Sequence, residues 1–563
     1  METKFLKKIV CIVLSLLLFA GTVSSKVKEK KKKTADAIAP VNYTSEDAVN
    51  YEIQTIRKML EKEPLQALWR AKILQTESKA SASAQSTIQT LYSDCEKKIV
   101  SRYKKDISKK NYISALRYFE SLEAVEYSEL PSLVLQKDEL NERIQKNVPG
   151  LTLTQESLNT KVSDLIKGTV TVYVDKGIKV EHGVGYNDGV LGSGFFISKN
   201  GYIITNHHVI SDCVDPEYEG FARLYIRLAD DPETRIPAKI IGYDKSVDLA
   251  LLKTEVDAPY VFNLGSSSDL DVGDKVYAIG SPLGLDRTLT SGIISSKDRD
   301  LFSAGKMFQI DAAVNSGNSG GPLIDEKGNV QAVVFAGVPL YQGLNFAIPV
   351  EYLRYELPIL FAGGERVHPW MAAYGKTKKL YGMGAANVGV DVCYVMPGGH
   401  AAFGGLAAGD TITSINGERI TTKDDLTNNF LKRIPETIVQ VGITNAAGIQ
   451  TTKLVYLGKR PKAPGLEVYN HDVIGQALIP FIGMDLVPSS TTNKKLYNIR
   501  SIIKGSAADE AGFSENDPVQ ILRTEISADK EYISIQIYAK KRKNGFLDIA
   551  LGFQATLDSP YYF

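Results

Sequence analysis

A chain of 563 residues, 44% hydrophobic and 23% charged, exceeds what one hydrophobic core holds and calls for about three or four domains. That composition excludes fibrous and disordered classes. A formal net charge of +1 leaves no global field, so no nucleic-acid partner is expected and any charged partner must meet a local patch.

In chain order, METKFLKK is basic, Ile9 to Val23 is mostly apolar, and Val23-Ser24-Ser25 offers small residues for cleavage. This is the pattern of a secretory signal peptide over residues 1–25. The apolar run falls short of the ~20 residues of a spanning helix, yet the KVKEKKKK after it translocates reluctantly. Export to a periplasmic or other extracytoplasmic compartment is therefore expected, with retention at the membrane through an uncleaved segment left open. Residues 26–43 read as a basic linker. Beyond the signal, Cys95, Cys213 and Cys393 are odd in number and far apart, which fits neither a disulfide framework nor a metal site. They are expected to be small buried hydrophobes.

Residues 44–148 place Ile53, Ile56, Leu60, Leu65, Trp69 and Ile73 at helical spacing, with few glycines, which predicts a helical domain. Within it, NYISALRYFESLEAV (Asn111 to Val125) is similar to one helix of a tetratricopeptide hairpin; a plain bundle is the alternative. From Asn147-Val148-Pro149-Gly150 onward, short strands follow at close spacing: GTVTVYV (Gly168 to Val174), YIIT (Tyr202 to Thr205) and KVYAIG (Lys275 to Gly280). The helices that a parallel sheet requires between strands are missing from this pattern, so antiparallel barrels or sandwiches are expected over residues 149–362. Further breaks at FAGGERVHP and LGKRPKAPG bound two more modules, residues 363–460 and 466–563. GGHAAFGGLAAGDTITSING (Gly398 to Gly417) and KGSAADEAGFSENDPVQIL (Lys504 to Leu522) share one pattern of turn, short helix and apolar strand. That likeness points to an internal duplication.

A hydroxyl is a poor nucleophile near neutral pH, so a catalytic serine needs a base, a group that orients the base, and donors for the oxyanion. Two of the chain's six histidines fall together in GYIITNHHVI (Gly201 to Ile210), where an apolar strand runs into a polar corner and could display a rigid base; taken alone, the stretch reads first as a histidine filling a turn. In DKSVDLALLK (Asp244 to Lys253), Asp248 abuts an apolar run, and a carboxylate there is costly unless paired. Asp244 reads as a solvated turn residue. In NSGNSGGPL (Asn315 to Leu323), a tight turn would let the N–H groups of Gly317 and Ser319 converge while Ser319 projects its hydroxyl. Gly320-Gly321 let the chain leave without a Cβ clash.

Taken in order, GSGFFISKNGYIITNHHV, DKSVDLALLK, AIGSPLGLDRTLTSGIIS, DAAVNSGNSGGPL and LNFAIP resemble the HtrA/Deg serine proteases, which share the chymotrypsin-type double β-barrel. The two last modules resemble PDZ domains, the companions of those proteases. The resulting fold class is multidomain and mainly β: an N-terminal helical domain, a chymotrypsin-like double barrel, and two PDZ-like α+β modules. The resemblance implies His208 as general base, Asp248 as its orienter and Ser319 as nucleophile, with Gly317 and Ser319 supplying the oxyanion hole and no metal or cofactor. His207 is read as a neighbour of the base.

At the position of the S1 pocket base stands Ala313, so uncharged side chains should enter. Asn345 stands where the family often has glycine and should narrow the pocket toward small aliphatic residues. FIGMDLV (Phe481 to Val487) looks like a PDZ carboxylate loop and strand, with Gly483, Met484 and Leu486 as peptide-binding residues. The first module reads MAAYG after His368-Pro369-Trp370 and lacks the usual glycine-hydrophobic pattern. The implied function is an exported serine endopeptidase acting on unfolded or damaged proteins, with PDZ modules binding chain ends or gating activity. A latent protease serving as chaperone or peptide-binding scaffold is the alternative. The family commonly trimerises, but no residue of this N-terminus supports a trimer.

Overall fold

The computed structural model describes residues 43, 45–79, 81–152, 161–280, 288–302, 305–315, 317–337, 344–380, 386–493, 495–542 and 546–563. The expected signal peptide, all of the basic linker but Tyr43, and Ser316 lie outside the described residues.

Helices Glu46–Met59, Pro64–Glu77, Ala82–Ser108, Tyr112–Ala124 and Lys137–Asn147 fill the region whose spacing predicts them. Their starts follow from local chemistry. The Ser45 side chain accepts the Ala48 N–H, Pro64 occupies a first turn where its missing N–H costs nothing, and the Asn111 side chain accepts the Ser114 N–H. Ile53, Ile56, Leu65 and Trp69 are buried on the inner face. That face continues into another module: Trp69 Nε1 donates to the Leu454 carbonyl at 2.8 Å and its ring stacks on Tyr456 at 5.6 Å. The Ser121 hydroxyl accepts the Ile438 N–H at 3.1 Å, and Gln440 Nε2 donates to the Ala124 carbonyl at 2.9 Å. The helices thus share a core with the strands Thr437–Thr444 and Gln450–Lys459.

Two six-stranded antiparallel rings follow. In the first, Ile236–Asp244, Arg223–Arg227, Thr169–Glu181, Val184–Ser198, Tyr202–Thr205 and Leu249–Thr254 pair in that order, and Ile236–Asp244 also pairs with Leu249–Thr254 to close it. The second is a closed barrel of Pro322–Ile324, Val330–Gly337, Asn345–Pro349, Gly305–Ile310, Thr288–Phe302 and Lys275–Gly280. Closure removes exposed sheet edges. Leu249 to Leu252 are all fully buried, as the unbroken apolar run requires. One cluster, including Phe195, Leu251, Ile279 and Ile348, joins the two barrels to helix Val350–Ala362.

The two modules that look alike in sequence correspond in structure. His400–Phe403 precedes strand Thr411–Ile415 in the first, and Ala507–Glu510 precedes strand Pro518–Ile526 in the second. They differ afterwards. The first carries helix Lys423–Leu431 before its next long strand, whereas the second passes from Pro518–Ile526 directly to Tyr532–Arg542. Of the cysteines, Cys95 is buried, while Cys213 and Cys393 are half-buried. Among the described residues no helix is long and apolar enough to cross a membrane.

Candidate active site

Strand Tyr202–Thr205 ends at Asn206, whose extended backbone opens helix His207–Val214. His208 therefore stands in the first turn of a short helix packed on the barrel wall. Asp248 immediately precedes strand Leu249–Thr254 and has φ +60, a left-handed conformation that is strained for a residue with a Cβ. Hydrogen bonds hold it there. Its carbonyl accepts from Asn206 Nδ2 at 2.9 Å and from the His207 N–H at 3.3 Å. Its carboxylate accepts the His208 N–H at 2.7 Å and meets His208 Nδ1 at 2.7 Å.

The Asp248 side chain is 5% exposed and that of His208 38%, so the carboxylate is enclosed while the imidazole keeps an open face. Desolvation alone would lower the imidazole's pKa; the charge of Asp248 and its hydrogen bond outweigh desolvation and raise it above the ordinary value. His207 differs in kind. It is buried, its ring stacks on Tyr243 at 5.3 Å, and burial lowers its pKa.

The loop that carries Ser319 turns on glycines in the left-handed region. Gly317 has φ +105 and Gly320 φ +86. A Cβ on Gly320 would stand 2.3 Å from the Ser193 carbonyl and 2.4 Å from Thr205 Oγ1, and one on Gly321 2.2 Å from the Ile279 carbonyl. The loop is thus pressed against the strand end that leads to His208. The Ser319 hydroxyl donates to the Phe335 carbonyl at 2.8 Å, and the Phe335 ring meets the His208 ring edge-on at 5.8 Å. Asp248 and His208 are hydrogen-bonded partners, whereas the Ser319 hydroxyl is turned to a backbone acceptor on the residue whose ring meets His208. Among the described residues, neither the Gly317 nor the Ser319 N–H has a protein acceptor.

Sequence reading passed over Ser193, which clamps this loop. Its N–H donates to the Ser319 carbonyl at 2.8 Å and its hydroxyl to the Gly317 carbonyl at 2.6 Å, while its own carbonyl accepts from Thr205 Oγ1 at 2.7 Å. The available signal was a serine between two glycines, Gly192 and Gly194, on a strand otherwise apolar toward its end.

Asp244 is not a solvated turn residue. It is fully buried, its Oδ2 lies 2.9 Å from His368 Nε2, and its Oδ1 accepts the N–H groups of Ser246 at 2.7 Å and Val247 at 3.3 Å. Desolvation works to raise its pKa, but His368, Arg366 and the Ser246 N–H outweigh it and hold the carboxyl below its usual range. Beside it Glu356 and Arg366, both fully buried, pair at 2.9 Å. Asp244, Glu356 and His368 bring ligand-capable atoms within 4.8 Å of one another, but the Arg366 guanidinium already supplies the cation.

At the expected S1 site, Ala313 is exposed and its carbonyl accepts from Thr290 Oγ1 at 2.9 Å. Asn345 is buried, and its Nδ2 donates to the Ala312 carbonyl at 2.7 Å, so it braces the segment that carries Ala313. In the last module Gly483 ends helix Ile474–Ile482 in the left-handed region, φ +75. Met484 and Leu486 follow on strand Met484–Pro488, both buried in the module's core. The Gln476 side chain donates to Asp485 Oδ1 at 2.8 Å and to the Leu486 carbonyl at 3.3 Å.

Residues 192–333 match the family described as a trypsin-like peptidase domain, residues 392–428 a PDZ domain, residues 465–557 the TP0546 family PDZ domain, and residues 47–144 a domain of unknown function. The chain is 37% identical over 290 residues to a probable periplasmic serine endoprotease, DegP-like, of Pseudomonas fulva (strain 12-X), covering 50% of this chain and 58% of that protein. It is 39% identical over 249 residues to the similarly named protein of Ectopseudomonas mendocina (strain ymp), covering 42% and 50%. The chain thus spans about half the length of the curated relatives it matches. The solved HtrA-type protease AlgW with decapeptide matches at 26% identity with a TM-score of 0.44, covering 53% of this chain and 98% of that one.

Proposed function

We propose that this HtrA-like chain, a trypsin-like peptidase domain followed by PDZ modules, is an exported serine endopeptidase that hydrolyses unfolded or damaged proteins through an acyl-enzyme on Ser319. The observation that carries the reading is the enclosed Asp248 carboxylate bonded to both the backbone and Nδ1 of His208, which leaves the opposite ring nitrogen for a proton from Ser319. In this reading Asp248 fixes the imidazole's tautomer, and His208 takes the Ser319 proton and later delivers it to the leaving amine. The N–H groups of Gly317 and Ser319 receive the developing oxyanion. Ala313 and Asn345 shape an S1 site for small uncharged side chains, and Gly483, Met484 and Leu486 contribute to peptide binding in the last module.

A second reading, a latent protease acting as chaperone or scaffold, is favoured by the Ser319 hydroxyl donating to the Phe335 carbonyl. Attack requires that bond to break and the hydroxyl to turn toward His208. Incubation with casein, with and without a hydrophobic peptide, together with fluorophosphonate labelling, separates the two. The peptidase reading expects Ser319-dependent cleavage and labelling, both lost in Ser319→Ala. Neither signal under any condition favours the latent form.

A further inference from the structure

The segment Tyr561–Phe563 lies as an added strand on the free edge of Ala373–Leu380 in the first PDZ-like module. The Phe563 N–H donates to the Ala373 carbonyl and the Ala373 N–H to the Phe563 carbonyl, both at 3.0 Å; the Gly375 N–H donates to the Tyr561 carbonyl at 3.1 Å. Tyr562 sits opposite Tyr374 as an antiparallel bridge. Side chains alternate as on any strand. Phe563 is buried in the module's core with Met371, Leu426 and Phe430, and Tyr562 is buried in a cluster that both modules share, with Tyr374 and Tyr394 on one side and residues of the second module on the other. Tyr561 is 37% exposed and lies under the ammonium groups of Lys376 and Lys423, at 5.4 and 5.8 Å.

The place where Phe563 enters is a groove with two walls. One is the edge strand; the other is helix Lys423–Leu431, which is tied to that strand by the Lys423 N–H donating to Thr377 Oγ1 at 2.9 Å. A Cβ on Gly375 would stand 2.1 Å from the Asp391 carbonyl oxygen and 3.0 Å from Phe563 Cε1, so the neighbouring strand excludes a side chain there and the Phe563 ring packs over the bare backbone. The occupant arrives from outside, at the end of the sheet of the second module, and Arg460 steadies its approach by donating to the Tyr562 carbonyl at 2.8 Å and to Asp558 at 2.7 Å. Backbone pairing that supplies affinity and a side-chain pocket that supplies choice are the two parts of peptide recognition by strand addition.

We propose that the chain's own Tyr561–Phe563 segment is a tethered competitor seated in the peptide groove of the first module, so that an incoming extended segment with a large aromatic side chain at the Phe563 position must displace it. The inference deepens the peptide-binding part of the proposed function and rests on that part. It assigns the site to the first module although MAAYG lacks the usual loop pattern, because the edge donors Ala373 and Gly375 need only backbone. A tethered competitor acts at roughly millimolar effective concentration, so with an intrinsic Kd of ~10 µM for the tethered segment a free peptide would bind the unaltered chain about a hundredfold more weakly.

The test uses the whole chain carrying Ser319→Ala, so that binding is read without proteolysis; its failure leaves the peptidase reading standing, and an inert Ser319 leaves the binding result standing. The probe is a fluorescein-labelled peptide of sequence SPYYF, followed by anisotropy. In Phe563→Asp, whose charge the apolar pocket rejects, the peptide should bind at least tenfold more tightly than in the Ser319→Ala parent. A chain lacking residues 560–563 should behave alike and serves if the first variant folds poorly. Amide exchange at Ala373 and Gly375 should rise in both and fall again when peptide is added. Equal affinity in parent and variants, absence of binding to either variant, or unaltered exchange at those two amides would overturn the proposal.

Discussion

Asp248→Asn is the most direct probe of the site. The carboxylate receives two charge-assisted bonds from His208, both 2.7 Å, each worth about 1.5–3 kcal/mol. Together they set an upper limit of about 3–6 kcal/mol on what the substitution removes. At 1.36 kcal/mol per tenfold in rate that is roughly 10²–10⁴, and the same change in a comparable serine protease costs about 10⁴ in kcat. The amide keeps an oxygen for one donor but can turn its NH₂ toward Nδ1, which selects the wrong tautomer. A second effect follows from charge. Asp248 now outweighs desolvation and holds the imidazole above 6.5; without the carboxylate, desolvation is unopposed and the pKa drops below that value. In the proposed mechanism the neutral imidazole is the base, so the acid limb of the profile should lie above pH 6.5 in the unaltered protein and below it in the variant. The same sign governs stability: protonated His208 beside Asp248 stabilises the fold below pH 6.5, and this contribution fades as pH rises through the raised pKa. Fluorophosphonate labelling rates measured against pH read both effects. A loss of less than tenfold with an unmoved acid limb would refute the roles given to the pair.

Gly320→Ala, with φ +86 and backbone oxygen 2.3 Å from the new Cβ, should cut labelling of Ser319 by more than about a hundredfold, on the scale of a lost oxyanion donor, and lower the unfolding midpoint in the same preparation. Trp69→Ala removes a fully enclosed ring and its bond to Leu454; urea unfolding should show a loss of about 3–5 kcal/mol, with labelling of Ser319 retained in the native state. Asn345→Gly deletes the brace on Ala312 and should shift peptide-library cleavage from small P1 residues toward larger ones, whereas an unchanged profile would exclude Asn345 from the pocket. Arg366→Met strands the buried Glu356 carboxylate and should cost about 3–5 kcal/mol in urea unfolding near neutral pH. Burial already raises the Glu356 pKa, so part of that loss should return as pH falls through the raised value.

Much of the fold was legible because its signals are local. YIIT and KVYAIG became strands at those same residues, since alternation and turn residues act over a few positions. The duplication was legible only as far as it is local: the short helix and following strand recur, but no sequence cue signalled that the second module goes from Pro518–Ile526 to Tyr532–Arg542 without a helix. Asp244 was misread for a related reason. Its partner His368 is 124 residues away, and an aspartate after Gly-Tyr looks the same whether its turn faces water or a distant buried side chain. Ser193 was overlooked because a buried serine on a strand shows no periodic signal; only the approach of Gly317 and Ser319 from the other barrel gives its hydroxyl and N–H their partners.

The site's two halves differ in how their backbone is held, and that difference explains which half the sequence displays. Gly317 and Gly320 take positive φ without a Cβ to oppose it, so the Ser319 loop stores little strain and must be spelled out in glycine. Asp248 takes φ +60 with a side chain, at a cost of about 1–2 kcal/mol. Glycine there would relieve the strain and remove the carboxylate, so the strained residue has to be kept and offset from outside. Asn206, His207 and His208 supply the offset through four hydrogen bonds to Asp248, and Asp244 caps the intervening turn through Ser246 and Val247. Because Asp244 is itself fixed by His368, and the Arg366 N–H donates to the Tyr243 carbonyl at 2.8 Å, the segment entering the first PDZ-like module is part of what holds the carboxylate's turn.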